Sequence, residues 1–244
     1  MELDKKQNNI TTAIMLVGGA SLRMMPYTTD RPKAMVDING KPILYWTLKW
    51  LKFHGIKKVV LGVAYKKEVI FDYLSKNDFG LEIKFSEHTV DGETGEGFRL
   101  AIERYIKDEQ DFVAMNGDEL TNMDLRCMMD THLESESVVT IVVSSLKSPY
   151  GIVEIYGGKI IGFKEKPILE DKLMSVGIYI FNKKIKSYLP KSGTIEKETF
   201  PVLANKKFIT AYRLNSNEHW TTVNTIKDIK TAEEELKLWG FDNE

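Results

Sequence analysis

Residues 13–42, AIMLVGGASLRMMPYTTDRPKAMVDINGKP, constrain the fold more than any other part of this chain. They open as a short apolar run, Ala13, Ile14, Met15, Leu16 and Val17, with the composition of a buried strand. The run breaks at Gly18-Gly19, where a backbone without Cβ atoms can turn tightly and approach a ligand closely. The next stretch carries Arg23, Pro26, Arg31, Pro32 and Lys33 and keeps neither helical nor strand periodicity. Loops that long inside a compact domain are uncommon and usually functional. A strand, a glycine turn and three cations together point to a site for a polyanion, most simply a nucleoside triphosphate.

Downstream, apolar and amphipathic segments alternate. Ile43, Leu44, Leu48 and Leu51 share one face of a helix expected over residues 43–53, ending near Gly55. Residues 57–64 read as a buried strand and 67–74 as a helix, while Leu81, Ile83 and Phe85 alternate as in a strand. A loop over 88–96 leads into a helix over 97–106. A buried strand over 111–116, a helix over 125–133 and a β-branched strand over 138–143 complete this part. The alternation predicts an α/β fold, a Rossmann-like, mostly parallel sheet flanked by helices.

From Tyr150 the texture becomes β-rich. Residues 152–155 and 160–163 flank Gly157-Gly158 as a hairpin, and strands are expected over 176–181 and 208–214. A short helix near Ile185 and a charged helix over 226–238 complete the chain. No repeat or low-complexity linker interrupts it. One domain over 1–244 is expected, with a nucleotide half at about 12–145 and a smaller acceptor half at about 146–232 fused onto the same sheet.

Composition narrows the function classes. A formal net charge of −1 argues against a general nucleic-acid binder, although a local cationic pocket is allowed. Cys127 is the single cysteine, so no intrachain disulfide can form and a reducing cytoplasm is the expected setting. The amino end, MELDKKQNNI, lacks the apolar core of a signal peptide. No stretch approaches the ~18 apolar residues of a membrane span, so no membrane partner is expected. Asn9-Ile10-Thr11 matches a glycosylation triplet, which carries no meaning in a cytoplasmic protein.

Asp118 directly follows a buried strand, and in open α/β sheets ligands bind beyond the carboxyl ends of the strands. A carboxylate facing a triphosphate has one obvious use, holding Mg²⁺. Taken alone, Gly117-Asp118 reads equally well as a turn or a helix cap. Gly92-Glu93-Thr94-Gly95-Glu96-Gly97 offers three glycines whose backbone groups can meet a base edge, or simply starts a helix. Within it, Glu96 can accept from a guanine or cytosine amino group. Glu165-Lys166-Pro167, by itself, is a charged turn.

Other signals are declined. Gly40-Lys41-Pro42 lacks the leading glycine and the Ser or Thr of a P-loop, and Gly18-Gly19-Ala20-Ser21 lacks dinucleotide-binding spacing. His54, His88, His132 and His219 show no zinc spacing. Cys127 reads as packing, and Trp46 and Trp50 fall at helical spacing, as core or interface residues do.

Leu16, Gly18, Gly19, Arg23, Pro26, Thr28, Pro32, Lys33, Met35, Gly40, Lys41 and Pro42 resemble the signature of sugar-1-phosphate nucleotidyltransferases, L-x-G-G-x-G-T-R-L-x-P-x-T, then P-K-x-M, then G-K-P. Ser21 stands where that family has a third glycine, and Leu22 where it has Thr or Ser. The resemblance runs from Ala13 to about Ala232 and implies a GT-A-like nucleotidyltransferase fold. It also implies an EC 2.7.7 type of enzyme that joins a nucleoside triphosphate to a sugar 1-phosphate, giving an NDP-sugar and pyrophosphate for polysaccharide biosynthesis.

By that resemblance Arg23 grips the β- and γ-phosphates, Lys33 the α-phosphate region, and Asp118, in Asn116-Gly117-Asp118, the Mg²⁺ cofactor. Leu16, Gly18, Gly19, Ser21, Thr94, Gly95, Glu96 and Gly117 form the nucleotide side. Tyr150, Gly151, Glu165, Lys166 and Gly177 form the sugar-phosphate side, with Ser175-Val176-Gly177-Ile178-Tyr179 matching the family's N-A-G-x-Y strand only in part. The family's second metal-binding aspartate is missing, because Trp220-Thr221-Thr222-Val223-Asn224 offers Asn224 instead. Asn224 is expected as a neutral ligand or a hydrogen-bond donor.

The base stays open between guanine and cytosine. Lys41-Pro42-Ile43-Leu44 and His54-Gly55-Ile56-Lys57 resemble cytidylyltransferases, whereas the compact length suits guanylyltransferases. The rival readings are a metal-dependent glycosyltransferase, whose D-x-D motif would lack its first acid at Asn116, and a non-catalytic nucleotide-sugar-binding paralogue. Homo-oligomerisation is left open.

Overall fold

Ala13, Ile14 and Met15 are fully buried, which requires a strand covered on both faces. The computed structural model describes residues 10–240, and the polar amino end with Asn9 lies outside the described residues. In chain order the elements are β1 (Thr12–Leu16), β2 (Asp37–Ile38), β3 (Lys41–Pro42), α1 (Ile43–Phe53), β4 (Lys58–Val63), α2 (Lys67–Lys76), β5 (Glu82–Glu87), α3 (Glu93–Tyr105) and β6 (Asp111–Asn116). Next come β7 (Glu119–Thr121), α4 (Leu125–Ser135), β8 (Val139–Lys147), β9 (Ile152–Tyr156), β10 (Lys159–Lys164) and β11 (Ile168–Asn182). The chain then forms α5 (Ile195–Glu198), α6 (Phe200–Asn205), β12 (Ile209–Arg213), β13 (Trp220–Thr222) and α7 (Ile226–Leu238).

Seven strands build the central sheet in the order β12-β8-β11-β6-β1-β4-β5. The pairs β1–β4, β1–β6, β4–β5 and β12–β8 are parallel. The exception is β11, which runs antiparallel to both β6 and β8. The sheet is thus mixed, with one strand reversed, and it continues without a break across both expected halves. Register sets Leu16 level with Gly62 on one side and Asn116 on the other, so the loops after β1, β4 and β6 leave from one edge.

Alternation along β1 divides the core. Ala13, Met15 and Val17 pack with Leu44, Leu48 and Leu51 of α1 on one face, and Ile14 packs with Phe98 and Ile102 of α3 on the other. A smaller third cluster joins Met24, Val36 and Ile38 of the opening loop to Leu120, Val223 and Leu236. That cluster anchors the aperiodic loop to the carboxyl-terminal helix α7. The loop is therefore packed at its base, as functional loops on rigid scaffolds commonly are.

Two of the expected elements start well before their expected positions. The strand expected over 176–181 extends back to Ile168, with register shifts between Leu169 and Leu173 and between Ser175 and Tyr179. Gly177, at φ +78, lies inside the second irregularity, where a bulge re-aims the chain. Helix α3 starts at Glu93 instead of Gly97, so Thr94, Gly95 and Glu96 belong to its first turn. The hairpin β9–β10 forms as expected, as a separate two-stranded sheet.

Gly117 ends β6 with its N–H donating to the Leu16 carbonyl at 2.8 Å. A Cβ there would meet that same carbonyl oxygen at 2.6 Å and Val17 Cγ1 at 2.5 Å. Backbone cannot yield as a side chain does, so Gly117→Ala is expected to destabilise the fold by about 1–3 kcal/mol. Denaturant unfolding measures this, and an unchanged midpoint would contradict the packing of β1 against the Gly117 turn.

Candidate active site

Lys33, Asp118 and Asn224 come from the opening loop, the end of β6 and the segment before α7, and they meet in one cluster. The Lys33 ammonium forms a close ion pair with Asp118 Oδ2 and donates to Asn224 Oδ1 at 2.8 Å. Lys33 is only 8% exposed, and the Asp118 side chain 21%. Asn224 is fixed from behind, its Nδ2 donating to Thr222 Oγ1 at 3.2 Å and its N–H to Asp228 Oδ2 at 2.9 Å. The β7–β13 pairing, Glu119 with Thr222, holds this segment beside Asp118.

Lys33, one of the three loop cations, is buried and paired. The cluster already coordinates a cation, its own ammonium. Asp118 Oδ2 and Asn224 Oδ1 converge on that one positive charge, as two ligands of a metal would. Mg²⁺ commonly takes one or two protein carboxylates together with water and phosphate oxygens, and this oxygen pair fits that pattern. Among the described residues no three His, Cys, Asp or Glu side chains gather into a metal cage. Phosphate oxygens and water would have to complete the shell of an ion held by this pair.

The glycine loop separates into two roles. A Cβ on Gly18 would sit 2.6 Å from the Ala64 nitrogen, so Gly18 allows close packing against β4. A Cβ on Gly19 would meet nothing within 4 Å, and its bare backbone opens onto space. Ser21 adopts φ 47, ψ 61, the left-handed region that costs a residue with a Cβ roughly 1–2 kcal/mol. That cost explains the glycine of the family pattern at this place. The Ser21 carbonyl accepts from the buried Thr28 hydroxyl at 3.0 Å, which holds the turn. Arg23 projects from it, exposed and without an ion-pair partner among the described residues.

The expected base-reading residues are engaged internally. Thr94 Oγ1 accepts from the Ile195 N–H at 3.0 Å, and the Gly95 N–H donates to the Gly193 carbonyl at 2.9 Å. One oxygen of Glu96, Oε2, accepts from the Thr89 N–H at 2.8 Å and its hydroxyl at 2.6 Å. Those bonds, side chain first, hold the Glu96 carboxyl below the usual range. On the acceptor side Tyr150, Glu165 and Lys166 are exposed, and Lys166 lies 3.7 Å from Glu165 at φ 44. A Cβ on Gly151 would strike the Phe163 ring. None of these four forms a hydrogen bond or ion pair with the Lys33 cluster.

Gly177 is different, because it touches a residue that sequence reading missed. A Cβ there would lie 2.7 Å from Glu119 Oε1 and 2.9 Å from Asn116 Nδ2. Glu119 is 7% exposed and accepts from Trp220 Nε1–H at 2.7 Å. Burial, and then the neighbouring Asp118 charge, raise its carboxyl well above the ordinary value. A signal existed in the sequence: an acid directly after Asp118, in a strand whose other side chains are buried, must be paired or neutral.

The region from residue 12 to residue 237 matches the family model described as Nucleotidyl transferase. The chain is 30% identical over 234 residues to D-glycero-alpha-D-manno-heptose 1-phosphate guanylyltransferase of Aneurinibacillus thermoaerophilus, covering 92% of this chain and 98% of that protein. It is 32% identical over 223 residues to mannose-1-phosphate guanyltransferase of Yarrowia lipolytica, covering 88% of this chain. The match spans 61% of that relative's length. Among solved structures, HddC from Yersinia pseudotuberculosis superposes with a TM-score of 0.73 at 24% identity, over 93% of this chain and all of the other. At that identity the likeness is one of fold.

Lys33→Met is expected to lower stability by roughly 2 kcal/mol, because it leaves the half-buried Asp118 charge unpaired. Millimolar Mg²⁺ should then restore part of the melting temperature, while wild type responds little. A variant that ignores Mg²⁺ would argue against a shared cation position. Glu119→Gln keeps an acceptor for Trp220 but cannot ionise. The raised carboxyl of Glu119 contributes its stability below the ordinary glutamate range and loses it as pH rises towards the folded-state value. The variant should therefore gain on wild type as pH rises above the ordinary glutamate range in chelator, read as the difference in melting temperature, and a pH-independent difference would refute the assignment.

Proposed function

The chain belongs to the nucleotidyl transferase family, and from that premise we propose that it transfers a nucleotidyl group from a nucleoside triphosphate to a sugar 1-phosphate, with release of pyrophosphate. The observation that carries the reading is the Lys33–Asp118–Asn224 cluster at the strand edge, with the open Gly19 backbone and the exposed Arg23 on the same loop as Lys33. Guanine is the favoured base, in keeping with the guanylyltransferase relatives. The sugar phosphate belongs to the acceptor half, beyond about residue 146, with Lys166 as its cation and Gly177 as its close approach.

The acceptor is already anionic, so no strong general base is required. The work lies in bringing two anions into line and stabilising charge on departing pyrophosphate. Arg23 supplies a mobile cation for the β- and γ-phosphates. Lys33 moves from Asp118 towards the α-phosphate when the triphosphate arrives. Asp118 and Asn224 would then hold Mg²⁺, which would neutralise phosphate charge. Asn224 contributes an oxygen without charge, so the site holds the ion less tightly than two carboxylates would.

Pyrophosphate release across a panel of triphosphates and sugar 1-phosphates is the direct test. Activity with a hexose or heptose phosphate and GTP supports the reading. Nucleotide binding without any release would leave a binding-only paralogue, and sugar transfer from an NDP-sugar would favour a glycosyltransferase. With the best pair, Arg23→Ala should cost about 10²–10³ in rate, as for loss of one preorganised charge contact. Near wild-type turnover would remove Arg23 from the phosphate site. Asn224→Asp should lower the Mg²⁺ concentration for half-maximal activity, and no shift would place Asn224 outside the metal site.

A further inference from the structure

The loop that carries Arg23 is tied at both ends by one residue that lies outside it. Tyr65 comes two residues after β4, a strand paired on one side with β1 and on the other with β5. Its N–H donates to the Gly18 carbonyl at 3.2 Å, where the loop departs. Its hydroxyl reaches the carbonyls of Thr29 at 2.9 Å and Thr28 at 3.2 Å, where the loop returns. A phenol has one hydrogen to give, so those two carbonyls share it.

A further bond carries this hold to the turn itself. The buried Thr28 hydroxyl donates to the Ser21 carbonyl at 3.0 Å, and Arg23 stands two residues beyond Ser21, exposed. Further along, the Lys33 N–H donates to the Gly19 carbonyl at 3.4 Å. The departing and returning limbs are thus bound to each other and, through Tyr65, to the sheet. Met24 is fully buried beside Arg23 and sets the depth of the turn. A single apolar anchor leaves such a turn free to pivot, because apolar burial is non-directional. The hydrogen bonds from Tyr65 supply the missing direction.

We propose that Tyr65 is a positioning residue of the phosphate loop, whose hydroxyl fixes the turn bearing Arg23 against the Gly18-Gly19 backbone without touching substrate. The assignment rests on the nucleotidyltransferase reading and deepens it. A charge clamp works only when held in place beforehand, and here the holding group comes from a neighbouring strand.

Tyr65→Phe removes one oxygen and keeps the ring. Thr29 is exposed, so water can replace the lost donor and the melting temperature should stay close to wild type. With the best substrate pair, kcat/KM for the triphosphate should fall about tenfold, since a small misplacement of a clamp is costly in rate. The KM for the sugar 1-phosphate should not change. A double-mutant cycle with Arg23→Ala separates positioning from general structure. Once Arg23 is gone, Tyr65→Phe should cost less than about twofold, because it has nothing left to position. A tenfold loss in both backgrounds, a matching rise in the sugar-phosphate KM, wild-type kinetics, or a large fall in melting temperature overturns the proposal. If wild type releases no pyrophosphate with any triphosphate, the enzyme reading fails on its own. Calorimetric titration with GTP then decides Tyr65 separately. An affinity weakened by Tyr65→Phe in wild type but not in Arg23→Ala upholds its role. An unchanged affinity, an equal loss in both backgrounds, or a wild type that binds no GTP rejects it.

Discussion

The bridge from Lys33 to Asp118 and Asn224 is the interaction on which the rest depends. It joins residues 85 and 191 positions apart in the chain. Lone charges so poorly exposed would carry a heavy desolvation cost, which pairing and hydrogen bonding offset. The pairing gains little unless the three side chains arrive in register. The aperiodic loop provides Lys33 because Met24, Val36 and Ile38 are sunk in their own core against Val223 and Leu236. The same cluster fixes the segment bearing Asn224, so one packing event sets two corners of the site.

Glu119 extends this logic to the acceptor side. It follows Asp118 directly, is gripped by Trp220 of β13, and lies against Gly177 of β11. Three segments are thereby tied within one residue of Asp118. The reversal of β11 makes that possible, since an antiparallel strand between β6 and β8 brings its bulge back to the edge where the other strands finish. A parallel strand there would have needed a crossover helix and would have started at the opposite edge.

Much of the scaffold was legible in the sequence. β1, β4 and β6 are short uninterrupted apolar runs, and α1 has a clean apolar face, so local pattern determines them. The lower part of β11 was not legible, because residues 168–174 (ILEDKLM) place three charges together and show no period of two. Its formation rests on pairing with β8. The three-residue strands β7 and β13 are likewise products of a contact across a hundred positions. For the site, Gly18, Gly19 and Asp118 could be singled out by type and position, and Asn224 through the family resemblance. Lys33 could be placed in the loop, but its burial could not be read, because its partners lie far along the chain.

The exchange of a carboxylate for Asn224 acquires a definite meaning in this setting. With one Lys and one Asp, the ligand-free cluster is electrically neutral. A second aspartate would leave it with a net negative charge and a standing affinity for divalent cations. The neutral cluster has no such excess, and its own ammonium already occupies the shared position. Under the proposed function, a metal would compete there chiefly when it arrives with negatively charged phosphates that also draw Lys33 away. Binding of ion and triphosphate would then be coupled by charge balance, and the exchange to Asn224 would change the order of binding without removing the chemistry.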